Sequence, residues 1–277
     1  MRYGLKLSQN ATIDTYRAVW RTADEAGFDH CWNMDHLATL GPDNTRDIFE
    51  AWTLLAAMAQ ATERTRIGCM VTAATYRHPG VLAKMAVTVD HVSNGRLEFG
   101  LGAGWTEGEH TMFDLELGTP RRRLDRLEEA IRIVKSLWTE PTTTLAGDHY
   151  RVEAAVAEPK PVQRPHPPIW IGGSGRRRTL RIVAEHADAW NMAGGTPADL
   201  ADLSTVLDEH CAAVGRDPAT IRRTVQARLP DDPDDLLRVA EEYAAAGADD
   251  IIVIVGADPE RGASATAQLL PRLRTIG

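Results

Sequence analysis

The feature that most constrains this chain is an alternation of near-continuous apolar runs with amphipathic segments. Runs such as LEFGLG from Leu97, IWIGG from Ile169 and IIVIV from Ile251 read as strands buried on both faces, which belong to parallel sheets covered by helices. Strands are predicted at Arg2–Ser8, Asp29–His36, Arg66–Ala74, Arg96–Gly104, Ile169–Gly172, Ala189–Met192, Thr220–Arg228 and Asp250–Val255. Helices are predicted at Thr15–Ala26, Asp47–Thr62, from Pro79 to near Ser93-Asn94-Gly95, and at Arg121–Thr139. Four more follow at Thr179–His186, Pro197–Val214, Pro233–Ala246 and Ala263–Leu273. Gly27 closes the first helix, Pro79 takes a favoured first-turn position, and Asn94-Gly95 tolerates the left-handed geometry of a helix stop.

The rhythm breaks once. Pro141 to Pro168 holds a predicted hairpin, Thr142–Leu145 and His149–Val152, followed by a proline-rich return. An open doubly wound sheet would share the alternation. A count of eight strand–helix units and a length of 277 residues favour a single (β/α)8 barrel over residues 1–277, with an insertion after the fourth unit. In that architecture active sites form at the C-terminal ends of the strands, where the unusual clusters of this chain fall.

A net charge of -8 argues against non-specific nucleic-acid binding; the triplet Arg176–Arg178 is the one basic cluster suited to an anion. Cys31, Cys69 and Cys211 are too far apart for a metal motif and read as buried, inert thiols, so no metal site is expected. The start, MRYGLKLS, lacks a basic region followed by an apolar run, and no segment approaches roughly 18 unbroken apolar residues. A cytoplasmic protein without membrane contact is expected.

Four clusters carry candidate chemistry. Asp35-His36 ends the second strand; the histidine can exchange a proton near neutral pH and the adjacent carboxylate can tune it, although such a pair can also simply bind its own loop. Gly68–Tyr76 (GCMVTAATY) ends the third strand and taken alone reads as a plain buried strand. Gly100-Leu101-Gly102-Ala103-Gly104-Trp105 strips side chains from a strand end, where a flat ligand can approach the backbone. Its GxGxG spacing, with no helix starting inside it, sets it apart from a dinucleotide fingerprint. Glu107, Glu109 and His110 are polar candidates beside it, or a solvated loop. Gly172-Gly173-Ser174-Gly175-Arg176 leads into a helix and can present free N–H groups to a phosphate, or form a flexible turn. Asn191 ends the sixth strand, facing the pocket or capping a turn.

In this order and at these spacings, the motifs resemble the luciferase-like monooxygenase superfamily, particularly its members that use coenzyme F420. The resemblance runs from GLKLS to the final strand and is strongest over Arg66–Glu109 and Pro168–Asn191. It implies a deazaflavin-dependent oxidoreductase that transfers hydride to or from a small organic metabolite, with His36 as proton donor or acceptor. It implies cofactor contacts from Asp35, Met70, Val71, Thr72, Gly104, Trp105 and the loop Gly172–Arg176, with a non-proline cis peptide between Met70 and Val71. Some F420-dependent sugar-phosphate dehydrogenases carry an acidic glutamate where this chain has Trp105, so their chemistry is not carried over. Two alternatives stay open: an FMN-dependent two-component monooxygenase, and a flavin-binding protein without catalysis. Relatives are commonly homodimers, which is the expectation here. The flanking loops at Leu37–Arg46, Thr106–Thr119 and Pro141–Pro168 mix apolar and acidic residues, suiting a partly apolar small metabolite.

Overall fold

The computed structural model describes residues 1–40 and 45–277; the predicted Gly41-Pro42 loop lies outside the described residues. Eight parallel strand positions close into a barrel. They are β1 (Arg2–Lys6), β2 (His30–Asn33), β3 (Arg66–Cys69) continued by β4 (Thr72–Ala73), β5 (Leu97–Gly102), β8 (Ile169–Gly172), β9 (Ala189–Met192), β10 (Arg222–Arg228) and β11 (Asp250–Ile254). β1 pairs with β11 on one side, and β3 pairs with β5 on the other, so the sheet has no free edge. β6 (Thr143–Ala146) and β7 (Arg151–Ala155) form a separate antiparallel hairpin between the fourth and fifth barrel positions.

Helices α1 (Ile13–Ala26), α2 (Ala51–Ala61), α3 (Pro79–Val92), α4 (Glu107–Met112), α5 (Pro120–Thr139), α6 (Thr179–His186), α7 (Pro197–Val214), α8 (Asp235–Ala245) and α9 (Pro259–Leu273) follow the barrel strands. Local chemistry sets their ends. Thr12 caps α1 by accepting from the Thr15 N–H, and Gly27 ends it in the left-handed region. Thr196 and Asp199 form a reciprocal capping box on α7. α2 starts later than predicted, at Ala51, because the Glu50 carboxylate accepts from the Trp52 and Thr53 N–H groups and serves as cap. The hairpin is carried on α5, where Glu129 accepts from the backbone N–H groups of Asp148, His149 and Tyr150.

Strand alternation sorts the side chains into two cores. Tyr3, Leu5, Cys31, Ile67, Phe99, Ile171, Trp190, Val225 and Val253 point outwards into the layer under the helices. Inside the barrel, Trp32, Met70, Trp170, Ala189 and Ile252 form a smaller apolar plug. Trp32 and Trp170 meet edge to face with centroids 4.7 Å apart. Space for the plug comes from Gly4 and Gly68, where an added Cβ would lie 1.8 Å from the His30 ring and 2.3 Å from the Trp32 ring.

Below this plug, at the N-terminal end, the barrel is closed by charge. His30 Nε2 lies 3.1 Å from Asp250, and His30 Nδ1 accepts from the Trp32 indole at 2.7 Å. Arg222 donates to Asp250 at 3.0 Å and stacks on Trp170, while Arg66 and the Trp170 indole both donate to Glu98. Burial opposes the Asp250 charge, but His30, Arg222 and Arg2 together hold its carboxyl below the ordinary range. All three cysteines are buried and free, and burial pushes the Cys31 thiol up to about 12. Among the described residues, no helix is long and apolar enough to cross a membrane.

Candidate active site

At the opposite, C-terminal end the strands stop at a polar mouth. β2 ends at Asn33, three residues short of the predicted strand, which frees Asp35 and His36 to turn into the loop. Asp35 does not pair with its neighbour. Its carboxylate takes a two-pronged guanidinium from Arg77, at 2.7 and 2.9 Å, and the N–H of Ala73 at 2.9 Å. Arg77 also reaches Glu50, the cap of α2. This clamp ties the end of β2 to β4 and α2.

The carboxylate that meets His36 comes from far along the chain. Glu109, on α4, lies 2.8 Å from His36 Nδ1. Its other contacts are all donors: the N–H groups of Leu37 and Ala38, and the Tyr76 hydroxyl at 3.0 Å. Burial works against ionisation of Glu109. Hydrogen bonds from His36, Ala38, Thr106 and Leu37 outweigh it and bring its carboxyl down to about 2. An ionised carboxylate only accepts, so Nδ1 carries the hydrogen of the neutral ring and Nε2 holds the lone pair. Among the described residues, Nε2 makes no hydrogen bond. His36 borders a cleft of about 320 Å³ with Ser8, Gln9, Asn10, Met34 and Ile48. Burial, then the nearby Glu109 charge, pushes the Tyr76 phenol far up, so it stays a donor.

Across the mouth, the Met70–Val71 peptide is cis, as the resemblance implies. Met70 packs inwards with the tryptophan plug, and half-buried Val71 lies above it. The glycines of β5 and β8 receive this valine. A Cβ on Gly102 would lie 2.7 Å from Val71 Cγ2, and one on Gly172 would lie 3.1 Å from both its methyl carbons. Gly100 also faces the Cys69 carbonyl, 2.1 Å from where its Cβ would be. The glycine strip therefore seats Val71, which becomes the apolar platform at the mouth. Thr72 is turned away from the mouth; its hydroxyl accepts from the Trp52 indole at 3.2 Å.

Gly104 has φ +77°, and Trp105 stands at the rim, 65% exposed, with its ring edge-on to His36. His110, expected as part of a loop, is buried on α4 and lies 2.8 Å from the Thr75 hydroxyl. In the loop after β8, Gly173 has φ +132°, and its N–H bonds the Asn191 carbonyl. The next three N–H groups, of Ser174, Gly175 and Arg176, have no acceptor among the described residues and precede α6. That is a donor set suited to a phosphate oxygen. The Arg176 side chain instead pairs with Asp202 on α7, and Arg178 with Asp125 on α5 at 2.7 Å.

Asn191 faces inwards and is fully buried. It belongs to a chain of donors that begins at Lys6: Lys6 Nζ donates to Gln226, Gln226 to Asn191 at 2.6 Å, Asn191 to Thr224 at 2.9 Å, and Thr224 to the Trp190 carbonyl at 2.9 Å. Lys6 and Gln226 escape notice in the sequence. Their one local signal is the alternation Tyr3-Gly4-Leu5-Lys6-Leu7, which places Lys6 on the face of Gly4.

A closed parallel barrel with a histidine–carboxylate pair, an apolar platform and a donor-lined loop at one mouth defines a small-ligand enzyme scaffold. The chain belongs to the luciferase-like monooxygenase family, whose model matches residues 2–273. It is 32% identical over 215 residues to an F420-dependent glucose-6-phosphate dehydrogenase of Microbacterium testaceum, covering 76% of this chain and 62% of that protein. It is 29% identical over 249 residues to an FMNH(2)-dependent dimethylsulfone monooxygenase of Pseudomonas putida, covering 90% and 64%. In fold it matches an F420-dependent secondary alcohol dehydrogenase solved with an F420-acetone adduct, with a TM-score of 0.87, 19% identity and 99% of each chain covered.

Proposed function

We propose that this chain is an F420-dependent oxidoreductase acting on a small, partly apolar metabolite. The observation that carries this reading is the His36–Glu109 pair at the edge of the cleft, with Nδ1 fixed and Nε2 uncommitted. The site's own features fit a flavin-type group. Val71 offers an apolar surface, with Gly104 and Trp105 at the rim of the mouth, and the N–H groups of Ser174, Gly175 and Arg176 suit the phosphate. When bound, the deazaflavin supplies two-electron hydride chemistry.

The chain's part is proton handling and positioning. In the oxidising direction, His36 Nε2 takes the proton from the substrate's hydroxyl or amine, and the Glu109 charge stabilises the resulting imidazolium. In the reducing direction, the imidazolium returns that proton. A positioned acid–base group of this kind contributes a factor of about 10²–10⁴ in rate. The Asp35–Arg77 clamp holds the backbone that presents His36. We also propose a homodimer, as the family resemblance implies.

The P. putida relative makes FMN the competing cofactor. Parallel calorimetric titrations of the purified protein with F420 and with FMN decide between them. Tight F420 binding with weak FMN binding is expected. The reverse order overturns the cofactor assignment and directs the search to oxygen-dependent chemistry.

A further inference from the structure

Lys6 has no role in the proton chemistry described above, yet it is the most unusual ionisable group in the barrel. It sits at the C-terminal end of β1, pointing inwards, 7% exposed. Among the described residues it has no carboxylate partner, and its one side-chain hydrogen bond goes to Gln226. Burying an ammonium without an anion is costly, and folding alone gives no reason to keep it.

The donor chain fixes where the remaining hydrogens of Lys6 can go. Every bond from Lys6 through Gln226, Asn191 and Thr224 to the Trp190 carbonyl runs in one direction. The Gln226 and Asn191 oxygens are therefore each engaged by a donor of this chain, and the positive end of a polarised row lies at Lys6. The row crosses the barrel from β1 to β9, where Asn191 is in register with Gly172, one of the glycines that seat Val71. Burial lowers the Lys6 ammonium to about 8, and the Arg228 guanidinium adds to the fall. The charged form prevails at pH 7.

We infer that Lys6 is a cofactor-facing cation, whose free N–H groups meet the pyrimidinedione edge of the bound ring and hold its reduced form, with negative charge concentrated at that edge, more tightly than its oxidised form, whose charge is shared with the far end of the ring. This rests on the proposed function, because it takes the ligand to be a flavin-type ring. Charge placed near that edge is a principal means by which a protein tunes such a ring. The two residues then divide the work of the site: His36 handles the substrate's proton, and Lys6 sets the redox preference of the ring.

The test compares wild type with Lys6→Met, a neutral side chain of similar length. Dissociation constants for oxidised and for reduced F420 are measured anaerobically, alongside the thermal midpoint of the protein without cofactor. Lys6→Met is expected to weaken reduced F420 roughly tenfold or more while changing the oxidised form far less. Its thermal midpoint should hold or rise, because an uncompensated buried charge has been removed. Equal changes for both forms, or a fallen midpoint with the redox preference intact, would overturn the assignment and leave Lys6 structural. If wild-type protein binds neither F420 nor FMN, the proposed function falls and this inference falls with it. Wild-type binding with an unchanged preference in the variant removes Lys6 alone. Should FMN be the ligand, the same comparison is made with oxidised and reduced FMN.

Discussion

The two ends of the barrel each hold a histidine against a carboxylate, and the pairs differ in what surrounds them. At the N-terminal end, His30 uses both ring nitrogens: Nε2 on Asp250 and Nδ1 on the Trp32 indole. It is fully buried, and Arg222 stacks over the neighbouring Trp170. At the C-terminal end, His36 spends Nδ1 on Glu109, leaves Nε2 without a partner among the described residues, and borders a cleft. The chemistry of the pair is the same at both ends. What separates the two histidines is a single uncommitted nitrogen.

The sharpest way to break this comparison is to remove one member at each end. His36→Ala is expected to lower turnover by about 10²–10⁴-fold, with cofactor affinity nearly unchanged and stability lower by about 1 kcal/mol for the lost donor to Glu109. Asp250→Ala strands His30 and Arg222 around a missing charge and is expected to cost about 3–5 kcal/mol of stability, while the folded fraction keeps its turnover. Steady-state kinetics and urea titration on both variants read the two effects. Activity loss in the second without unfolding would dissolve the distinction.

A smaller effect sharpens the mouth itself. Glu109→Gln keeps the size of the side chain but removes the charge and turns one accepting oxygen into an NH2 that faces donors, at a cost of roughly 1.5–3 kcal/mol at neutral pH. Because the folded protein holds this carboxyl at about 2 against an ordinary 4.5, its stabilisation is fully present above pH 4.5 and is lost as pH falls towards 2. The wild-type advantage over the variant should therefore shrink across that window in denaturant titrations. The smallest effect is expected from Tyr76→Phe, which removes one donor to Glu109 for about 1 kcal/mol and slows turnover only slightly. A loss as large as that of His36→Ala would make the phenol a proton carrier in its own right.

The barrel was legible because buried parallel strands announce themselves locally. The helices Thr179–His186 and Pro197–Val214 and the strand Ala189–Met192 fall where periodicity puts them. What local pattern could not show is pairing across the chain. The adjacent Asp35 looked like the partner of His36, whereas the fold gives Asp35 to Arg77 and supplies Glu109 from α4, 73 residues away. A clue to α4 existed in Thr106-x-x-Glu109, the pattern of a helix start, but Glu109 turns its carboxylate to His36 and the neighbouring loop. The glycines of β5 read as an approach path for a flat ligand; the fold fills that path with Val71, a contact between strands that no spacing rule encodes.

The seating of Val71 also shapes how this protein can change over generations. Gly102 and Gly172 are answerable to one valine, so while Val71 stays a methyl group is blocked at Gly102 and tight at Gly172. If residue 71 shrinks first, both positions open and the wall of the mouth can be rebuilt from two strands. Gly100 has no such release, because the carbonyl of Cys69 obstructs it and no side-chain replacement removes a carbonyl. New binding specificities on this scaffold should therefore follow a fixed order of inheritance, beginning at residue 71 and never passing through residue 100.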